Sequence, residues 1–201
     1  MQDAYLRRQK DRLLTPMAGP IFASVHPNSV SIVAMIIGLG SVAAIMLQLY
    51  WVALGLWAIN RIMDGLDGVI ARVHQKQSDF GGFLDLFLDF IIYVTVPIAF
   101  IWAEPTAANL WTGIALLGSY VMNSISWTTL AALLEKRHRQ TSNRLTSMEM
   151  PTGLIEGAET MLFYTLFYFF PGSVAILFAL MAVLVYYTAA QRVWWAYQNL
   201  R

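Results

Sequence analysis

Four carboxylates set in apolar surroundings are the residues best placed to do chemistry. Asp64 and Asp67 are spaced i, i+3, and Asp85 and Asp89 are spaced i, i+4. Each pair shares one face if its segment is helical. Both segments lie inside long apolar runs, where an ionised side chain is costly and marks function by default. Acids supplied by two neighbouring spans form an all-oxygen donor set, which suits hard divalent cations. Two such ions would offset four negative charges that are expensive to bury uncompensated.

The elements that must position these acids follow from composition. The chain has 201 residues, 58% hydrophobic and 12% charged, against roughly 25% charged in a soluble domain. It has no cysteine, which excludes a disulfide framework and a thiolate metal site. Six apolar runs, at about 30–49, 51–73, 81–103, 110–134, 152–171 and 174–197, are near the ~20 residues that a bilayer requires. They predict an all-α, polytopic membrane protein with six transmembrane helices. It is expected to be a single membrane domain over 1–201, with 1–25 a juxtamembrane segment and 26–201 a six-helix bundle. Residues 4–14 interleave Tyr5, Leu6, Leu13 and Leu14 with Arg7, Arg8, Lys10 and Arg12. That pattern fits an amphipathic helix on the membrane surface, or equally a flexible basic tail. From its polarity the N-terminus is not expected to be a cleaved signal peptide.

At the start of the first span, Pro27 precedes Asn28 and Ser29, either of which can cap the helix. Pro97 should kink the third span. Gly38, Gly40, Ser41, Ala43 and Ala44 would let another helix approach the first span closely, within the chain or across a dimer. The short polar turn V-H-Q-K-Q-S-D-F makes the second and third spans antiparallel neighbours, with all four acids at similar depth. The connections near 50, 104–109 and 171–173 carry no Lys or Arg, whereas the basic residues cluster at the termini, near the acids and in 135–144. This predicts a multi-pass protein of the inner or cytoplasmic membrane, with both termini and the acids on the cytoplasmic side.

The run Asp64-x2-Asp67-Gly68-x2-Ala71-Arg72-x8-Gly81-x3-Asp85-x3-Asp89 resembles the signature of the CDP-alcohol phosphatidyltransferase family, with every fixed position filled. The resemblance implies a transferase of phospholipid biosynthesis that passes a phosphatidyl group from CDP-diacylglycerol to the hydroxyl of a small alcohol and releases CMP. It implies two Mg2+ or Mn2+ ions, one held by Asp64, Asp67 and Asp85 and the other by Asp64, Asp85 and Asp89, with Asp89 also taking the hydroxyl proton. Within the family, a CDP-alcohol donor with a diacylglycerol acceptor is the alternative. The family often has a similar Pro-Asn-x-x-Ser/Thr entry, whose polar groups, Asn28 among them, approach the nucleotide, and it is often dimeric, which leaves a homodimer open.

Beside that resemblance the flanking residues have physical roles. Gly68, Ala71 and Gly81 each lie one turn from a motif carboxylate and leave room for a nucleotide, or else let helices pack closely. Arg72, at the water boundary, can fork to a phosphate or anchor the positive side of the membrane. Ser78, near the start of the third span, can cap the helix and offer a phosphate site. Arg61, three residues before Asp64, is expected to brace that carboxylate.

The acceptor end is less defined. Glu156 and Glu159 can bind a polyol or amine, or simply complement the N-terminal dipole of the fifth span. The run E-K-R-H-R-Q-T-S-N-R at 135–144 can receive a phosphorylated acceptor or be a solvated loop. Leu86 and Phe90 replace the residues usual in family members that take glycerol phosphate or inositol phosphate. Asn123, Ser124 and Ser126 suit interhelical hydrogen bonds. His26, His74 and His138 show no metal or triad spacing, and nothing resembles a nucleic-acid platform. A reading of another class, a divalent-cation transporter, shares the intramembrane acids but lacks inverted repeats.

Overall fold

The computed structural model describes Thr15, Gly19, Phe22, residues 24–140 (side chains to 137) and residues 153–200. The basic helix expected at 4–14 and most of the 135–144 run lie outside the described residues or side chains. Six α-helices and no strand are present among them: α1 Pro27–Met46, α2 Tyr50–Val73, α3 Asp79–Ala103, α4 Ala107–Gln140, α5 Gly157–Phe169 and α6 Val174–Asn199. They fall into two compact units, the first ending at Pro105 and the second beginning at Thr106.

In the first unit α1 packs along both α2 and α3. Its buried stripe includes Ser31, Ala34, Gly38, Ser41 and Ala44, small residues at helical spacing. A Cβ on Gly38 would stand 2.6 Å from Ile92 Cδ1 and 3.0 Å from Asn60 Nδ2, so the missing side chain is what admits both neighbours. Polar side chains then tie α1 to α2. Asn60 donates to the Ala34 carbonyl at 2.8 Å, and Ser41 donates to the Ala53 carbonyl at 2.7 Å.

Two turns complete this unit, and both end a helix with a glutamine in the left-handed region. At Gln48 (φ 59°) the Gln48 and Leu49 amides return to the Ile45 and Ala44 carbonyls. At Gln75 (φ 53°) the Gln75 and Lys76 amides return to Arg72 and Ala71. Both patterns are Schellman closures, a position usually held by glycine. The second one reverses the chain over four residues and delivers Ser78 to the start of α3, making α2 and α3 the antiparallel carriers of the acids.

The expected cap of α1 needs correction. His26, rather than Asn28 or Ser29, is the N-cap, and its Nδ1 accepts from the Asn28 amide at 3.3 Å. Pro27 takes the first helical position, where its missing N–H costs nothing, and this shifts the start forward. Pro97 sits inside α3 without ending it.

In the second unit α4 and α6 pack along each other. Tyr164, Phe167 and Phe178 form a buried aromatic cluster, with ring centroids 5.2 Å and 4.9 Å apart along the series. The fourth expected span stops at 134, but α4 continues to Gln140, because charged helix formers from Glu135 onwards extend it beyond its apolar part. The fifth is reduced to a 13-residue helix. A capping box formed by Glu156 and Glu159 sets its start, and a 3-10 turn at Pro171–Ser173 follows its end. At 1.5 Å per residue it rises about 20 Å, short of the ~30 Å hydrocarbon layer. Among the described residues three helical stretches, Pro27–Met46, Asp79–Ala103 and Pro171–Asn199, are long and apolar enough to cross a membrane.

Candidate active site

Asp67 is buried on α2 and held from α1, where the Ser31 hydroxyl donates to its Oδ2. It looks into a cavity of about 210 Å³ that Asp85 of α3 also lines. The wall of this cavity contains Asn28, Gly68, Ala71, Arg72, Ser78 and Gly81. All six positions singled out for substrate from the sequence thus share one space.

Local chemistry explains how they meet. Ser78 caps α3, accepting from the Gly81 amide at 3.0 Å. A Cβ on Gly81 would stand 3.0 Å from Ser78 Oγ and 3.2 Å from Asn28 Oδ1, so this glycine lets the start of α1 close on the start of α3. On α2 the Arg72 guanidinium folds back one turn over Gly68, where a Cβ would stand 3.3 Å from Nη1. Lys76 and Gln77 also line the cavity, and Lys76 Nζ donates to the Val25 carbonyl at 3.0 Å. Sequence reasoning passed over these two as turn residues. The signal was the polar turn itself, which has to lie beside any site that its flanking helices build.

Asp64 and Asp89 stand in an adjoining narrow cleft, together with Asp85 and Ser31, which border both spaces. This cleft, of about 10 Å³, has room for no more than about one water. Arg61 dominates it. Its Nη2 meets Asp89 Oδ1 at 2.8 Å, and its Nη1 lies 3.8 Å from Asp64 Oδ2. The brace to Asp64 expected from the i, i+3 spacing exists, but the shorter contact crosses to α3. Nε donates to Asn60 Oδ1 at 2.8 Å, and Nη1 donates to the Tyr93 hydroxyl at 3.3 Å. The guanidinium carbon is 5.1 Å from the Trp57 ring centroid and 5.5 Å from that of Tyr93, within cation–π range.

The donors are all oxygen, and Ser31 orients one of them from outside, both of which fit a hard cation. Their present spacing does not close around one: among the described residues no three acids or histidines stand close enough to hold an ion. The residues therefore fit the metal in type, with a guanidinium standing among the carboxylates of the inner cleft.

The other expected site residues belong to the second unit. The Glu156 side chain accepts from the Glu159 amide and Glu159 Oε2 accepts from the Glu156 amide at 3.1 Å, so both carboxylates are engaged in capping α5, and Glu156 Oε1 also accepts from the Gly153 amide at 2.7 Å. Asn123 makes an interhelical bond, accepting through Oδ1 from Arg192 of α6. Arg192 was not singled out from the sequence. It is buried, and its Nε has no hydrogen-bond partner. A cation within an apolar span was the available signal.

A family model described as CDP-alcohol phosphatidyltransferase matches residues 24–194. The chain belongs to the CDP-alcohol phosphatidyltransferase family. It is a transferase of phospholipid biosynthesis. It is 33% identical, over 95% of its length and 97% of the relative's, to the inner membrane protein YnjF of Escherichia coli. It is 27% identical to the archaetidylinositol phosphate synthase of Pyrococcus horikoshii, over 88% of this chain and 86% of that one. Its fold is that of the Mycobacterium tuberculosis phosphatidylinositol phosphate synthase PgsA1. The structure of PgsA1 with CDP-DAG bound superposes with a TM-score of 0.68 at 21% identity, covering 90% of this chain and 92% of that one. The PgsA1 complex with manganese and citrate gives 0.67 at 20% identity, covering 92% and 88%. Metal dependence is a property of the family. With three helices able to cross a bilayer and an inner-membrane relative, the transferase is an integral membrane protein.

Proposed function

We propose that this transferase passes the phosphatidyl group of CDP-diacylglycerol to the hydroxyl of a small alcohol and releases CMP. The observation that carries this reading is the single cavity on which Asp67, Asp85 and the six substrate-type positions converge. The CDP-DAG bound to PgsA1 supports the choice of donor.

In this reading Arg72 forks to a donor phosphate from the wall of the cavity. Ser78 and the first amides of α3 offer hydrogen bonds at a helix N-terminus, where an anion is favoured. Asn28 approaches the nucleotide from α1, and Gly68, Ala71 and Gly81 keep the space clear. Asp64, Asp67 and Asp85 would hold one Mg2+ or Mn2+, and Asp64, Asp85 and Asp89 a second. Bound there, the ions would supply charge stabilisation to pyrophosphate oxygens and the leaving phosphate. Asp89 accepts the proton of the acceptor hydroxyl. That oxygen forms a new bond to the lipid-linked phosphorus as the bond from phosphorus to the CMP oxygen breaks.

The finer architecture belongs to the same proposal. The chain acts as one membrane domain over 1–201 and crosses the bilayer six times, the fifth crossing being completed by the residues just before α5 and the 3-10 turn after it. Both termini and the acids face the cytoplasm, and the active unit is one chain or a homodimer. Glu156 and Glu159 remain the acceptor candidates on the second unit. Two relatives are named for inositol phosphate products, which brings that acceptor into the test although Leu86 and Phe90 line neither cavity.

The deciding experiment gives the purified protein CDP-diacylglycerol, Mn2+ and a panel of alcohols that includes inositol phosphate and glycerol phosphate. Lipid products are identified by mass, and one new phospholipid with stoichiometric CMP is expected. Product formed only from a CDP-alcohol and diacylglycerol would reverse the donor assignment.

A further inference from the structure

Arg61 has no place in the transfer just described, yet among the described residues of the first unit it is the buried cation. It is buried at 9% exposure, reaches acids on two helices, and lies between two aromatic rings. Resting on the proposed two-ion reading, we infer that Arg61 is an internal counter-cation for the inner end of the site. It holds Asp89 while no divalent ion is there and gives Asp89 up when one arrives.

Three observations support this exchange. First, the cleft that would take the inner ion is lined by Asp64, Asp85 and Asp89, and the guanidinium already stands against two of them. One guanidinium cannot neutralise three carboxylates, so the cleft still attracts a dication. Secondly, four carboxylates with two dications are already neutral, which makes the charge on Arg61 an excess that opposes the second ion. Arginine cannot shed that charge by losing a proton. Thirdly, Arg61 has other partners to keep. Asn60 holds Nε, the Tyr93 hydroxyl accepts from Nη1, and the Trp57 and Tyr93 rings cover the guanidinium. Leaving Asp89 therefore does not strand the arginine in an apolar setting.

Arg61 is thus a positioning residue. It keeps two acids on different helices near one another before metal loading, and it sets a threshold for loading. The threshold is the charge-assisted contact to Asp89 that the incoming ion must replace.

The test is Mn2+ binding, read as loss of the free-ion electron paramagnetic resonance signal. The full-length protein is titrated in detergent as wild type, Arg61→Gln and Arg61→Lys. Arg61→Gln should bind one class of Mn2+ on the order of tenfold more tightly than wild type. Arg61→Lys keeps the charge but lacks the fork, and should fall between the two. Added Mn2+ should also raise the melting temperature of Arg61→Gln more than that of wild type. Mn2+ binding that is unchanged or weaker in Arg61→Gln would overturn the exchange while leaving the metal reading intact. Absence of Mn2+ binding in every form would overturn both. If Arg61→Gln cannot be purified folded, Arg61→Lys decides: tighter binding supports the exchange, and equal or weaker binding overturns it.

Discussion

Arg61 in α2 and Arg192 in α6 are both buried in apolar helices, at 9% and 7% exposure, yet their surroundings differ. Arg61 meets two carboxylates, an amide oxygen, a phenol and two ring faces. Arg192 donates to Asn123, and its Nε has no hydrogen-bond partner. The first unit has thus collected opposite charges into a small space, whereas the second buries aromatic surface and joins its helices through separate polar contacts. The cost of losing a buried cation depends on which charges it leaves behind.

The largest expected effect falls on the acid that Arg61 touches most closely. Asp89→Asn keeps the shape of the side chain and removes its capacity as a base. It should lower CMP release by about 10²–10⁴-fold while CDP-diacylglycerol still binds. Unchanged turnover would move the base elsewhere. A stability pair then tests the contrast directly. Arg61→Met leaves the half-buried Asp64 and Asp89 without their cation and should cost about 3 kcal/mol in the metal-free protein, the low end for a broken buried pair. Arg192→Met leaves the amide oxygen of Asn123 unpaired and removes the positive charge that Glu156 feels, together worth about 1–3 kcal/mol. Denaturant melts in detergent would rank the two, and equal losses would mean that the carboxylates are not what distinguishes the sites.

Substrate binding offers a finer distinction. Arg72→Ala should raise KM for the donor by roughly tenfold to a hundredfold, the value of a charge-assisted bond to phosphate, with a smaller change in kcat. Normal donor affinity would leave Arg72 as a membrane anchor alone. Gly81→Ala puts a methyl group 3.0 Å from Ser78 Oγ and 3.2 Å from Asn28 Oδ1. Those neighbours must move by a few tenths of an ångström, so donor KM should rise several-fold, on the order of 1 kcal/mol.

How much of this could be read in advance divides along physical lines. Convergence of the motif positions was legible, because helical period and a short turn fix which residues share a face. The apolar runs gave the order of the helices for the same reason. The reach of Arg61 to Asp89 was not legible. It depends on how far α2 and α3 are rotated and shifted against each other, which spacing along one helix does not encode. Ser31 falls on the Ser/Thr position of the Pro-Asn-x-x-Ser/Thr entry, three residues after Asn28 on the same side of α1, but its bond to Asp67 depends on how α1 meets α2. Helix ends were the least legible feature. Hydropathy stops at 134 although helix propensity continues, and the capping box at Glu156 and Glu159 overrides the apolar residues before it.

The smallest effect belongs to the apolar unit. The Tyr120 and Tyr164 hydroxyls are 3.0 Å apart, and the Tyr120 hydroxyl is also 3.5 Å from Met181 Sδ. Tyr164→Phe removes one hydroxyl and leaves the ring in contact with Phe167. Interhelical hydrogen bonds in membranes contribute about 0.6 kcal/mol on average, since a chain unfolded in lipid finds other partners. The melting temperature of Tyr164→Phe should therefore fall only slightly, far less than that of Arg61→Met. A loss as large as the one expected for Arg61→Met would show that the second unit, too, depends on a buried polar network, and the contrast between the units would no longer hold.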